Sequence, residues 1–200
     1  MPTRLAFLGP AGTYGEQAAR VLIEQDALED VQLVPCVGLR SVVEQLAGGE
    51  CDAAVVPIEN SVEGGVTATL DALWSHPELC IRRALVLPIQ HALLGSGPLS
   101  RVTEVLSHPQ ALAQCSGWMA KLLPDALQLP TSSTAEAARM VAGSPFRAAI
   151  ASQSAAREHG LDELAFPVND VAGNRTRFLL LRRGQRSEHG DVASLAFSLH

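Results

Sequence analysis

The feature that most limits what this chain can fold into is a pattern that occurs twice. "RLAFLG" is a short apolar run of the buried-strand kind, and "PAGTYGEQAARVLIEQ" follows with apolar positions at helical spacing. "VQLVPC" predicts a strand, "LRSVVEQLAGG" a helix stopped by glycines, and "CDAAVVPIENS" a third strand ending in polar residues. The pattern restarts at Glu104: "EVLSH" strand, "PQALAQCSGWMAKLL" helix with Pro109 in its first turn, "ALQLP" strand, "SSTAEAARMVAG" helix, "FRAAIASQS" strand. Both halves read β-α-β-α-β with little residue identity between them. Strands alternating with helices imply an α/β fold of mainly parallel sheets covered on both faces. Two such units predict two βαβ-type lobes with a cleft between them. Lobe one is expected over about 1–85 plus 170–183 and lobe two over about 90–166. "CIRRALVLPIQHALLG", interrupted by Pro88, is the expected crossing, and "LAFPVNDVAGNRTRFLLLRR" the return.

Composition narrows the function. The chain has 200 residues, 47% hydrophobic and 18% charged, enough for a sizeable core. Its net charge of -6, with no basic run, argues against a nucleic-acid surface or an anionic-membrane patch. No apolar stretch is long enough to span a bilayer, and the apolar run before Gly9 is too short for a signal peptide, so a cytoplasmic protein is expected. Cysteines 36, 51, 80 and 115 are scattered and read as reduced and buried. No metal-ligand spacing, nucleotide-binding glycine pattern or acyl-enzyme elbow occurs, and no metal or cofactor is expected.

Ligands of open α/β sheets bind beyond the carboxyl ends of strands, and the polar motifs of this chain fall there. "GPAGTY" follows the first strand, "PIENSVEGG" the third, "SHPQ" the fourth, "SSTAE" the fifth and "SQS" the sixth. These loops hold few cations and several helix starts, whose N–H groups attract anions. A small carboxylate-bearing ligand is the expected occupant. Each residue also has a plain structural reading. Gly12 shapes a turn, Glu59 and Asn60 cap, His108 begins a helix before Pro109, and Gln114 is a surface glutamine. Ser132 or Ser133 is expected to cap the helix that contains Glu136. His76, His159, His189 and His200 read as surface residues.

The segments "FLGPAGTYGEQAA", "VVPIENSVEGGV", "SHPQALAQC", "SSTAEAA" and "NRTRFLLL", in this order across residues 4–183, resemble the prephenate dehydratase family. The resemblance implies the two-lobed fold of type II periplasmic binding proteins. It implies a carbon–oxygen lyase of phenylalanine biosynthesis that converts prephenate to phenylpyruvate, water and carbon dioxide without a cofactor. It makes Thr176, of the Thr-Arg-Phe motif, the catalytic residue. Asn60, Ser61, Ser107 and Gln114 become substrate-binding, joined by Gly12, Thr13 and Arg177, with Glu59, His108 and Thr134 as further candidates. The chain departs from the family at Gly15, where serine is usual, and at Tyr14, where phenylalanine is commoner. A homo-oligomer, dimer or tetramer, is expected. "SEHGDVASLAFSLH" resembles a linker and the first strand of an ACT domain, so turnover insensitive to phenylalanine is expected. Two other readings stay open: arogenate dehydratase, whose substrate carries an amino group in place of the keto oxygen, and a non-catalytic binding module for an amino or keto acid.

The odd composition of "NRTRFLLL" has a physical reading. Alternate side chains of an extended segment share a face. Asn174, Thr176 and Phe178 are expected to point one way, and Arg175 and Arg177 the other, with Arg177 bracing the segment through a carboxylate.

Overall fold

The structure is a computed structural model and describes residues 1–184. The expected ACT fragment, "SEHGDVASLAFSLH", lies outside the described residues. The chain divides into two compact units. One comprises Met1–Leu8, Ala18–Val86 and the chain from Arg177 on; the other comprises Gly9–Gln17 and Leu87–Thr176. Residues 9–17 and 170–176, read from the sequence as lobe one, thus group with the second unit. The cause is specific bonding: Ser152 Oγ donates to Gly12 O at 2.7 Å, and Asn174 Nδ2 donates to Gln114 Oε1 at 3.0 Å.

The first unit is built on β1 (Thr3–Leu8), β2 (Val31–Cys36), β3 (Ala53–Asn60), a two-residue β4 (Gly64–Gly65), β5 (Leu79–Pro88) and β11 (Arg175–Arg183). The sheet order is β2-β1-β3-β11-β5, with β4 paired to β3. β1 pairs in parallel with β2, Leu5 beside Leu33, and with β3, Leu5 beside Ala53. Helix α1 (Tyr14–Gln25) begins four residues later than "PAGTYGEQ" suggests. Helix α2 (Leu39–Ala47) buries Val42, Val43 and Leu46 against Ala6, Ala54, Val56, Leu179 and Leu181. The spacing of those three apolar residues puts one stripe of α2 on the sheet. Helix α3 (Thr67–Ser75) went unread in the sequence. It is seated by Thr69, whose buried hydroxyl donates to Pro57 O at 2.7 Å.

The second unit has the strand order β10-β6-β9-β7-β8, where β6 is Ala92–Gly95, β7 Glu104–Ser107, β8 Leu127–Pro130, β9 Arg147–Ala151 and β10 Asp162–Ala165. β7 is parallel to β8 and β9; β6 and β10 join antiparallel. The sheet is therefore mixed, a parallel core of β8, β7 and β9 extended by two antiparallel strands. Successive residues bury to opposite faces, as a strand period of two requires. Leu94, Leu106 and Ala149 meet helix α6 (Thr134–Val141) and helix α7 (Gln153–His159). Leu93, Val105, Ala148 and Ile150 meet Leu112, Cys115 and Met119 on the other face.

The stretch expected as one helix over 109–123 is two, α4 (Pro109–Gln114) and α5 (Ser116–Leu122), broken at Cys115 with φ −122° and ψ 9°. A distant carboxylate explains the break. Asp170 accepts from the N–H groups of Gly117 and Trp118, each at 2.7 Å, and so caps α5 from outside the helix. A side chain at Gly117 would meet Asp170 Oδ1 at 3.1 Å. At α6 the cap is Ser133, whose Oγ accepts from Glu136 N–H at 3.0 Å. Ser133→Ala is expected to cost about 1 kcal/mol, visible as a fall of about 2–4 °C in thermal melting. An unchanged melt would remove the cap from the account.

Candidate active site

The second unit holds a buried polar network. Tyr14, the first residue of α1, places its hydroxyl 2.7 Å from Gln90 O and 3.0 Å from His91 Nδ1. The Tyr14 and His91 rings meet edge-on, with centroids 5.6 Å apart. His91 Nε2 lies 3.3 Å from Gln114 Oε1, which also accepts from Asn174 Nδ2 at 3.0 Å. His91 is held by its backbone as well. Its N–H donates to Asn169 Oδ1 at 2.6 Å and its carbonyl accepts from Val168 N–H at 2.9 Å. Burial holds the His91 pKa below the usual histidine value, with the Gln114 bond opposing, so the ring is neutral near pH 7. Burial also pushes the Tyr14 hydroxyl up, and pushes the Cys115 thiol up to about 12 with help from Asp170; neither ionises at neutral pH. Gln114 is thus no idle surface glutamine: its Oε1 accepts from Asn174 and lies against the His91 ring.

The first loop is organised by a capping box that the sequence shows as Thr13-x-x-Glu16. Glu16 N–H donates to Thr13 Oγ1 at 3.3 Å, and Gly12 N–H donates to Glu16 Oε2 at 2.7 Å. Gly12 has φ +83°, and a Cβ there would sit 3.3 Å from the Ala155 backbone. Glycine is required both for the turn and for close approach to α7. The other helix starts of this unit are likewise capped. His108 Nδ1 accepts from Gln110 N–H at 3.3 Å, which makes His108 the N-cap of α4, and Ser152 Oγ accepts from Ala155 N–H at 3.3 Å. Thr134, the first residue of α6, is half-buried beside the Ser133 cap. The helix starts therefore carry their own caps, and side chains more than bare N–H groups give the loops their polarity.

Ser107 ends β7. It is fully buried, and its hydroxyl donates to Ile150 O at 2.6 Å. The proton ties β7 to β9, and the side chain supports the loop from inside the sheet. Thr176 is the second residue of β11 and is 8% exposed, beside Asn174 at 4%. Arg175 and Arg177 are exposed, so the alternation expected along "NRTRF" is present. Arg177 Nε lies 3.5 Å from Glu59 Oε2 in the first unit.

In that unit Asn60 ends β3, and its Oδ1 accepts from the N–H groups of Val62 at 2.9 Å and Glu63 at 3.1 Å. This Asx turn closes the β3–β4 hairpin and leaves Ser61 exposed at its tip. The Glu59–Arg177 pair is largely solvated, with 59% and 47% of the side chains exposed. An exposed pair contributes about 0–1 kcal/mol. Glu59→Gln is therefore expected to shift the melting temperature by less than about 4 °C; a larger fall would show that the pair does more than brace β11.

Among the described residues no cluster of His, Cys, Asp and Glu could hold a metal ion, and no helix is long and apolar enough to cross a membrane. His91 is the main residue missed from sequence. Its neighbours Ile89 and Gln90 gave no cue, although a histidine before the buried run "ALL" was the available signal.

The family model described as prephenate dehydratase matches residues 5–186. The prephenate dehydratase of Amycolatopsis methanolica is 41% identical over 183 residues, covering 90% of this chain and 58% of that protein. The crystal structure of prephenate dehydratase from Arthrobacter aurescens, in complex with L-Phe, superposes with a TM-score of 0.81 at 40% identity, over 91% of this chain and 61% of that one. The methionine binding protein MetQ, at 14% identity and a TM-score of 0.50, shares the fold over 90% of this chain and 82% of its own. That likeness agrees with a two-lobed architecture of the periplasmic-binding-protein type. This chain spans well under two thirds of the length of the Amycolatopsis methanolica relative. The match runs through every polar loop described above, and on it the chain belongs to the prephenate dehydratase family.

Proposed function

We propose that this chain catalyses the decarboxylating dehydration of prephenate to phenylpyruvate, a step of phenylalanine biosynthesis, in the cytoplasm. The observation that carries this reading is the family match over residues 5–186, which includes Thr176 at the buried head of β11. The reaction balances simply. The bond from the ring to one carboxylate breaks and releases carbon dioxide. Its electron pair enters the ring, the ring C–O bond breaks, and the departing oxygen takes up one proton and leaves as water. Aromatisation drives the sequence. The protein must position the substrate and supply a proton donor at the leaving oxygen, within about 3 Å.

Thr176 is assigned as that donor; its hydroxyl regains a proton from solvent after each turnover. Gln114 and Asn60 are assigned to hold the substrate, with Ser61, Thr13 and Gly12 in their loops. Ser107 and the Glu59–Arg177 pair position these elements, while His108 and Thr134 stay in their helix starts. The active form is assigned as a homo-oligomer.

The test compares two substrates. Purified protein given prephenate is expected to form phenylpyruvate, with a kcat/KM for prephenate well above that for arogenate. Equal or higher efficiency with arogenate would assign the chain to arogenate dehydration. Tight binding of either compound without turnover would make it a binding module.

A further inference from the structure

One residue holds both helix ends at the break where Gln114 sits. Gln114 closes α4, and its main-chain carbonyl, an orphan acceptor at a helix end, accepts from Asp170 N–H at 2.8 Å. Beyond Cys115, the orphan donors of α5 go to the same residue. Gly117 N–H donates to Asp170 Oδ2 and Trp118 N–H to Oδ1, each at 2.7 Å. Cys115 stands at the N-cap of α5 but makes no side-chain cap bond, so the Asp170 carboxylate takes that part. The residues before Asp170 are fixed in turn. Val168 is fully buried and its N–H donates to His91 O at 2.9 Å, while Asn169 Oδ1 accepts from His91 N–H at 2.6 Å. We infer that Asp170 is a positioning residue: it sets where the Gln114 side chain stands, and through Gln114 it sets the strength of substrate binding. The inference rests on the proposed reaction and deepens it.

The segment 168–174 meets Gln114 at two points. Asp170 N–H takes the main-chain carbonyl, and Asn174 Nδ2 takes Oε1 at 3.0 Å. The residue is thus held at its backbone and at the tip of its side chain. Without the carboxylate, the start of α5 loses two partners and the α4–α5 joint gains freedom. Cys115, with φ −122° and ψ 9°, is then free to relax toward helix. Gln114 is its neighbour, and its Cα–Cβ direction moves with the joint. The core beneath does not need the carboxylate: Leu112, Cys115 and Met119 pack on Leu93, Val105 and Ile150 through apolar contacts. Asp170 is itself exposed. Its loss therefore disturbs placement more than folding.

The test has two arms. The first needs no reaction. The side-chain amide signals of Gln114, assigned in a ¹H–¹⁵N spectrum by their loss in Gln114→Ala, are expected to move toward those of free glutamine in Asp170→Ala. Unmoved Gln114 signals in a folded Asp170→Ala protein would overturn the inference. The second arm is a mutant cycle. Asp170→Ala is expected to raise KM for prephenate by roughly threefold to tenfold with a smaller change in kcat. Asp170→Asn keeps one acceptor oxygen, should lie between alanine and wild type, and serves in both arms if the alanine variant does not fold. In Gln114→Ala protein, adding Asp170→Asn should change kcat/KM by less than about twofold, because the side chain it acts through is gone. Full multiplication of the two losses would mean that Asp170 only stabilises the fold, and would overturn the inference even with prephenate as the substrate. If wild-type protein leaves prephenate unchanged, the proposed reaction fails, and the Gln114 signals alone decide whether Asp170 places that side chain.

Discussion

Thr176→Val is expected to lower kcat with prephenate by about 10²–10⁴-fold, the usual contribution of a positioned general acid. Valine keeps the branching at Cβ and the strand preference, so β11 should form as before. The residue is buried at 8% exposure with Phe178 buried two positions on, and a methyl in place of the hydroxyl fits such a face. Thr176→Ser keeps the donor and should retain more activity than valine. Binding of a non-reacting substrate analogue should change little in either variant, because the proton moves only in the transition state. If Thr176 were only a strand former, valine would be tolerated and serine no better. The kcat values of the three proteins, measured beside their thermal melts, separate the two accounts; a fully active Thr176→Val would remove the residue from catalysis.

Gln114→Ala carries the second large effect. It removes the acceptor of Asn174 Nδ2 and the polar neighbour of His91 Nε2, both in buried side chains. An unsatisfied buried polar group costs about 1–3 kcal/mol. In kinetic terms the loss of the substrate contact corresponds to a fall of roughly tenfold to a hundredfold in kcat/KM. The protein should still fold with a lower melting temperature, since the hydrophobic layers on both faces of the second sheet are untouched. Asn60→Ala should show a similar kinetic loss by another route. Its Oδ1 closes the turn through Val62 and Glu63 N–H, so the hairpin tip bearing Ser61 loosens. Wild-type kinetics in either variant would take that residue out of the site.

Much of this architecture is legible in the chain because its signals are local. The strands "RLAFL", "VQLVP" and "AAVVPIEN" are short apolar runs bounded by turn residues, and the helix 39–47 shows its stripe in Val42, Val43 and Leu46. The Ser133 cap is written in "SSTAE". What was not legible depends on partners far along the chain. The break at Cys115 comes from Asp170, more than fifty residues on, and nothing in "AQCSGW" announces it. The antiparallel β6 and β10 arise from pairing of Ala92–Gly95 with β9 and with Asp162–Ala165, again a long-range matter. Helix α7 is seven residues long, too short for periodicity to declare it.

The site divides in the same way. The alternation along Asn174–Phe178 follows from strand geometry and was readable. The burial of Ser107 under its bond to Ile150 depends on which strand lies beside β7, and was not. His91 escaped notice for the same reason. Its meaning comes from Tyr14, Gln114 and Asn174, each tens of residues away in sequence.

The central claim is that this chain carries out the chemistry of its family on prephenate. Its most direct test is a stoichiometric assay in which purified protein is incubated with prephenate at neutral pH, and phenylpyruvate and carbon dioxide are measured together. The account predicts both products in a one-to-one ratio, at a rate proportional to protein and far above the uncatalysed loss of prephenate. Phenylpyruvate no faster than in protein-free buffer, with prephenate bound but unchanged, would contradict it.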